Sequence, residues 1–184
     1  MIRFGEDVKY GYQSRTRLNV VMSDITIAFA IDDTTYGEKA TKKFAEDSAT
    51  PFFMIHINER GKISSSEKDT LNQCFEKMKQ LISKNLRGVI LNVAGNGMYT
   101  FSKYGISQSR LDEMIYNILL RFKEKGIIFY CVRSGGQTGI DEAALKAADK
   151  LGLPTICLAP KGWKFRTASG EDIEDELLFK QRFA

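Results

Sequence analysis

Five short apolar runs alternate with segments of helical period, and that alternation constrains the fold more than any other feature. Residues 24–31 (DITIAFAI), 52–57 (FFMIHI), 88–93 (GVILNV), 127–132 (IIFYCV) and 155–158 (TICL) read as strands. Each is nearly continuous in its apolar character, as burial on both faces requires. After the capping signature Ser64-x-x-Glu67, Leu71, Cys74, Phe75, Met78, Leu81 and Ile82 repeat as one face of a helix. Leu111, Met114, Ile115, Ile118, Leu119 and Phe122 form a second such face. Ile140, Ala143, Ala144, Ala147 and Leu151 form a third, of small residues, closed by Gly152 and Pro154. Residues 37–46 predict a short helix and 171–183 a last one. The expected fold class is therefore α/β: one domain over 1–184, doubly wound, with a mostly parallel five-stranded Rossmann-like sheet and helices on both faces. A ligand of such a sheet sits beyond the carboxyl ends of its strands.

Composition removes several function classes. The 27 Lys and Arg against 23 Asp and Glu give a net charge of +4 with no long basic run, so nucleic acid is not an expected partner. No apolar run approaches the ~18–20 residues of a membrane span, and MIRFGEDVKYGYQ lacks the apolar core of a signal peptide. Cys74, Cys131 and Cys157 lie far apart in apolar stretches without CxxC spacing. The reading is a reduced, cytoplasmic chain without a metal site. The lone His56 sits in an apolar run and reads as a satisfied core residue.

The chemistry concentrates where strands give way to helices. Ser134-Gly135-Gly136-Gln137-Thr138-Gly139-Ile140-Asp141 joins a strand to a helix. Glycines let backbone approach a ligand, and a helix amino end offers unpaired N–H groups to an anion such as phosphate. Thr138 is placed to cap the helix or to bond a phosphate oxygen, and Asp141 to complete a capping box or take a ribose hydroxyl. No Gly-Lys-Ser/Thr follows, so this is not a Walker A loop. Lys161 and Trp163, after the next strand, emerge on the same edge, where Lys161 could meet phosphate and Trp163 stack on a base or pack at the rim. A second Gly loop holds Gly95, Asn96 and Gly97, and a third turn holds Asp32, Asp33, Thr34, Thr35, Tyr36 and Gly37. Asp32 and Asp33 would repel phosphate and suit ribose or solvent better. Residues 171–176 read as a solvated, acidic helix start.

These blocks resemble the SLOG superfamily, in particular its molybdenum cofactor carrier-like branch. SGGQTGIDEAALKAADKLGLPT with APKGW (127–184) resembles the opening of that family, yet it comes last here. Tyr12-Gln13-Ser14-Arg15-Thr16-Arg17-Leu18-Asn19 resembles its RT-N block, Ser23-Asp24-Ile25-Thr26-Ile27 its SDATLI strand, and Leu91-Asn92-Val93-Ala94-Gly95 its LNVAG strand. The order is that of a circular permutation, with residues 107–125 bridging the family's ends; residues 59–87 have little to match. The resemblance implies a Rossmann-like fold that binds a nucleotide or nucleotide-derived phosphorylated ligand of the ADP-ribose or NAD type, with no cofactor required. It implies ligand contacts from Gly135, Gly136, Gln137, Thr138, Gly139, Asp141, Lys161, Arg15, Thr16, Asn19 and Gly95, and a homo-oligomer; Ser134, Asn96, Thr35 and Gly37 join the candidate set from their places in the strand-end loops. The third turn departs from the family's SGGT-like loop, which puts a second phosphate subsite at residues 33–37 in question. The GGxGTxxE motif of the phosphoribohydrolase branch is not matched by Asp141-Glu142.

Three functions follow as expectations. The first is a sensor, carrier or sequestering protein for the nucleotide. The second is a nucleotide N-glycosidic hydrolase, with Asp141, Glu142 or Asp33 as the acid or base. The third is a molybdenum or pterin cofactor carrier. The sequence leaves open whether the chain is an enzyme.

Overall fold

The computed structural model describes residues 1–85 and 87–184, and it opens with a strand that the sequence pattern does not announce. The chain runs β1 (Ile2–Glu6), α1 (Tyr12–Val21), β2 (Ile25–Ala30), α2 (Tyr36–Asp47), β3 (Phe52–His56), α3 (Lys68–Asn85), β4 (Val89–Gly95), α4 (Met98–Phe101) and α5 (Gln108–Glu124). It continues with β5 (Phe129–Ser134), α6 (Ile140–Lys150), β6 (Thr155–Ala159), β7 (Lys164–Arg166), β8 (Asp172–Glu174) and α7 (Glu176–Gln181). The central sheet has six strands, not the expected five, in the order β1-β6-β5-β4-β2-β3. Every neighbouring pair in it is parallel. The added strand, β1, is an edge strand on β6, with Ile2 opposite Thr155 and Glu6 opposite Ala159. Its Arg3, Gly5 and Glu6 break the apolar run that marks the inner strands.

The two faces of the sheet differ in chemistry. Ile25, Ile27 and Phe29 of β2, with Val89, Leu91 and Val93 of β4, point into one large core with α3, α5 and α6. The alternate residues of the same strands face the other way. There Asn92 Nδ2 donates to Thr26 Oγ1 at 3.2 Å, and Arg133 Nε donates to Asn19 Oδ1 of α1 at 3.1 Å. This face is covered by α1 and α2, which pack on each other. Helices therefore lie on both faces. After β2 the chain turns outward to β3, whereas after β4 it turns the opposite way to β5. The reversal leaves a crevice at the carboxyl ends of β2 and β4, the place where doubly wound sheets hold ligands.

Three local expectations are corrected. Residues 171–183 do not form one helix: β8 pairs antiparallel with β7, and α7 begins only after Asp175, whose side chain accepts from Leu178 N–H. Asp172 accepts from Arg166 Nε at 2.8 Å and from Tyr12 Oη at 2.9 Å, so its acidic charge serves a hairpin rather than a helix start. Ser64 makes no side-chain cap, and Glu67 turns to His56 instead. His56 is not a core residue: it ends the edge strand β3 and is 48% exposed. Its Nδ1 meets Glu67 Oε1 at 2.9 Å and its Nε2 meets Asp33 Oδ2 at 3.3 Å.

Burial pulls the His56 pKa down, but the Glu67 and Asp33 carboxylates together outweigh it and raise the pKa. A raised folded-state pKa gives stability that is fully present below the unfolded value near 6.5 and is lost as pH rises through the folded value. His56→Asn should therefore lower stability at pH 5.5 by less than about 1 kcal/mol, because the pair is solvent-screened. The difference should vanish by pH 8.5, as read from urea unfolding at the two pH values.

Candidate functional site

The carboxyl ends of β2, β4 and β5 frame a cavity of about 400 Å³. From α1 come Tyr12, Arg15, Thr16 and Asn19; from the β2–α2 turn come Asp32 and Thr35, and from the start of α2 Tyr36, Gly37 and Glu38. Residues 92–97, Tyr99, Lys103 and Tyr104 follow β4, and Gly135, Gln137, Thr138 and Asp141 follow β5. The structure thus brings together Arg15, Thr16, Asn19, Thr35, Gly37, Gly95, Asn96, Gly135, Gln137, Thr138 and Asp141 from the sequence-predicted set.

Five nominated residues lie outside this lining. Ser134 is buried and donates to Val93 O at 2.7 Å. Gly136 backs onto Phe179 and Cys157, and Gly139 onto Asn96 and Gly97. Lys161 sits 4.5 Å from the centre of the Tyr10 ring. Glu142 is held by Lys146 at 2.6 Å and by Arg182 at 2.8 Å. Trp163 also lies elsewhere: it packs edge-on against Phe179, ring centres 5.5 Å apart, with Lys180 over its face. The hydrolase carboxylate Asp33 is turned to His56.

The glycine loop is clamped by the protein itself. A Cβ on Gly135 would land on the Arg15 guanidinium, whose Nη1 pairs with Asp141 Oδ2 at 2.9 Å. A Cβ on Gly136, at φ 70°, would strike the Phe179 ring and come within 2.7 Å of Cys157 Sγ. The Gln137 amide docks on β7 like a short strand: its Nε2 donates to Lys164 O at 2.8 Å, and its Oε1 accepts from Arg166 N–H at 3.1 Å. Thr138 Oγ1 donates to Arg166 O at 2.7 Å. Donors at the amino end of α6 are also taken. Gly139 N–H bonds Gln108 Oε1 at 2.7 Å, and Ile140 N–H bonds Asn96 O at 3.2 Å. The glycines thus admit other parts of the chain, a role that sequence alone had given to a ligand.

Asn96 is a second clamp. Its Oδ1 accepts from Ile31 and Asp32 N–H, and its Nδ2 donates to Asp32 O at 3.0 Å. The amino end of α2 is different. Its cap residue, Thr35, makes no side-chain cap bond, and open space surrounds the Cβ position of Gly37. Both face the cavity.

Two residues that line the cavity, Arg15 and Asn19, each carry a buried donor with no hydrogen-bond partner among the described residues: Arg15 Nε and Asn19 Nδ2. Buried donors are almost always paired, so these two are groups that a ligand or a water would satisfy. Beside them is a residue that sequence reasoning missed, Glu38, which is buried in the first turn of α2. Burial is the main reason its carboxyl pKa rises to about 7; bonds from its own amide and Asn96 oppose the rise, and the charge of Asp141 adds to it. The available signal was Thr35-x-x-Glu38, a T-x-x-E spacing at a helix start.

A wholly parallel sheet with a cavity at its reversal point defines a Rossmann-like α/β domain. Within that class the comparison of sequences is decisive: the model of the circularly permutated YpsA SLOG family matches residues 3–107, more than half of the chain, and the chain belongs to that family. The match spans β1 to α4, including the RT-N, SDATLI-like and LNVAG blocks, and ends before the SGGQTGID loop. Neither a curated protein nor a solved structure matches the chain. Among the described residues, no helix is long and apolar enough to cross a membrane, and no cluster of three or more His, Cys, Asp or Glu is placed to hold a metal.

Three outcomes follow from this geometry. Gly136→Val should cost about 2–4 kcal/mol of stability, from overpacking plus a positive φ. Combining Gly136→Ala with Phe179→Ala should cost less than the sum of the single changes in urea unfolding, since they share one contact. For Glu38, the raised pKa means stability present below pH 4.5 is lost as pH rises through about 7. Glu38→Gln should abolish that decline, worth on the order of 2 kcal/mol, in thermal unfolding followed from pH 4.5 to 8.

Proposed function

We propose that this chain binds a nucleotide or a nucleotide-derived phosphorylated ligand, of the AMP, ADP-ribose or NAD kind, in the cavity beyond β2, β4 and β5. It would act as a sensor, carrier or sequestering protein. The observation that carries the reading is the pair of buried, unpartnered donors, Arg15 Nε and Asn19 Nδ2. They suit the oxygens of a sugar or phosphate. The family supports the ligand class at that coarse level. Phosphate is better assigned to the amino end of α2 than to that of α6. The α6 donors Gly139 N–H and Ile140 N–H are already bonded, whereas Thr35 and Gly37 face the cavity without a cap bond.

A second reading is favoured by Glu38. A carboxyl group with a pKa of about 7, in the same cavity, has the properties of a general acid near neutral pH. It would protonate the leaving base of a nucleotide during N-glycosidic hydrolysis. None of the three carboxylates expected from the sequence fits that role as well: Asp141 is tied to Arg15, Glu142 faces Arg182 and Lys146 outside the cavity, and Asp33 is turned to His56. Thr35-x-x-Glu38 keeps the T-x-x-E portion of the phosphoribohydrolase motif.

Incubation with AMP, ADP-ribose and NAD, followed by mass spectrometry, separates the readings. A binder returns intact nucleotide from the washed protein. A hydrolase releases free base, at a rate that falls as pH rises through about 7, and Glu38→Gln abolishes release while retaining affinity. Arg15→Ala should weaken binding at least tenfold in either case, about 1.4 kcal/mol. Unchanged affinity in that variant contradicts the assignment of the cavity.

A further inference from the structure

The cavity has two chemically distinct ends. Arg15, Asn19 and Glu38 line its buried part, and Arg15 Nε and Asn19 Nδ2 have no partner among the described residues. Its outer wall carries Tyr36, Tyr99 and Tyr104, which are 69%, 42% and 42% exposed. Tyrosines that exposed gain little from the core, and none of the three hydroxyls makes a hydrogen bond among the described residues. They come from separate places: the first turn of α2, α4, and the turn that follows it. Lys103 lies with its Nζ 4.2 Å from the centre of the Tyr99 ring. It is the one lining cation without a carboxylate partner among the described residues, since Arg15 pairs with Asp141 and Arg166 with Asp172. Trp163, the stacking residue suggested by sequence, is engaged by Phe179 and Lys180 outside the cavity.

We infer that the ligand enters sugar first and leaves its aromatic base at the mouth, stacked on Tyr36, Tyr99 and Tyr104. This rests on the nucleotide reading and adds an orientation and a base-recognition subsite to it. Hydroxyls both donate and accept, so a ribose matches the inner donors and the Glu38 carboxyl. Aromatic faces accept any base, because stacking tolerates sequence and each stacked base adds a sizeable, separable part of the affinity. The subsite thus selects base-bearing nucleotides over sugar phosphates without choosing among the bases.

Calorimetric titration with AMP and with ribose 5-phosphate tests the inference. The wild-type chain should bind AMP about tenfold or more tighter than ribose 5-phosphate. The double variant Tyr36→Ala, Tyr104→Ala should bring the two affinities within about threefold and leave that for ribose 5-phosphate unchanged. Both positions are exposed, and an unchanged Tm confirms that the variant folds. Equal wild-type affinities, or a preference that survives in the variant, overturn the stacking subsite while the nucleotide site stands. Binding of neither probe overturns both.

Discussion

The ion pair between Arg15 and Asp141 is the contact around which the site is built. It joins α1 to the start of α6 and lies directly over Gly135. Both groups are largely buried, so removing either leaves an uncompensated charge, which typically costs about 3–5 kcal/mol. Asp141 has a further duty, because its Oδ2 also accepts from Gln137 N–H at 3.3 Å. One carboxylate therefore fixes the loop backbone and the arginine that covers it. The arginine keeps Nε unpartnered among the described residues.

The polar face of the sheet extends the same logic. Thr26, Asn92, Arg133 and Asn19 form a buried polar seam beneath α1, where a helix-on-sheet contact would ordinarily be apolar. Asn19 spends its oxygen on Arg133 and keeps its amide donors free. The opposite face is an apolar core of α3, α5 and α6. The domain therefore builds its large apolar core on one side of the sheet and places this polar seam on the other. The β7–β8 hairpin closes the arrangement by binding Gln137 and Thr138 and by anchoring Tyr12 through Asp172.

Much of the fold was legible because the core obeys simple periods. The faces of α3, α5 and α6 read directly from their spacing, and the inner strands from their apolar runs. The edge strand β1 did not, since a strand covered on one side tolerates Arg3 and Glu6. The acidic stretch before Asp175 resembled a helix start because sequence does not show that Arg166 waits across a hairpin and Tyr12 on α1. Within the site, the residues around the loops were legible but the reason for the glycines was not. A glycine announces that something comes close, not what does: here it is Arg15 at Gly135 and Phe179 at Gly136. Glu38 was missed because its distinction comes from burial between α2 and the end of β4, a tertiary fact.

The proposed nucleotide site rests on Arg15 and Asn19, whose Nε and Nδ2 have no partner among the described residues. Proton–nitrogen NMR spectra of these side chains during titration with AMP test it most directly. Both signals should move together and saturate with the binding curve. Saturable binding that leaves both signals in place would contradict it, and would put the ligand elsewhere on the molecule.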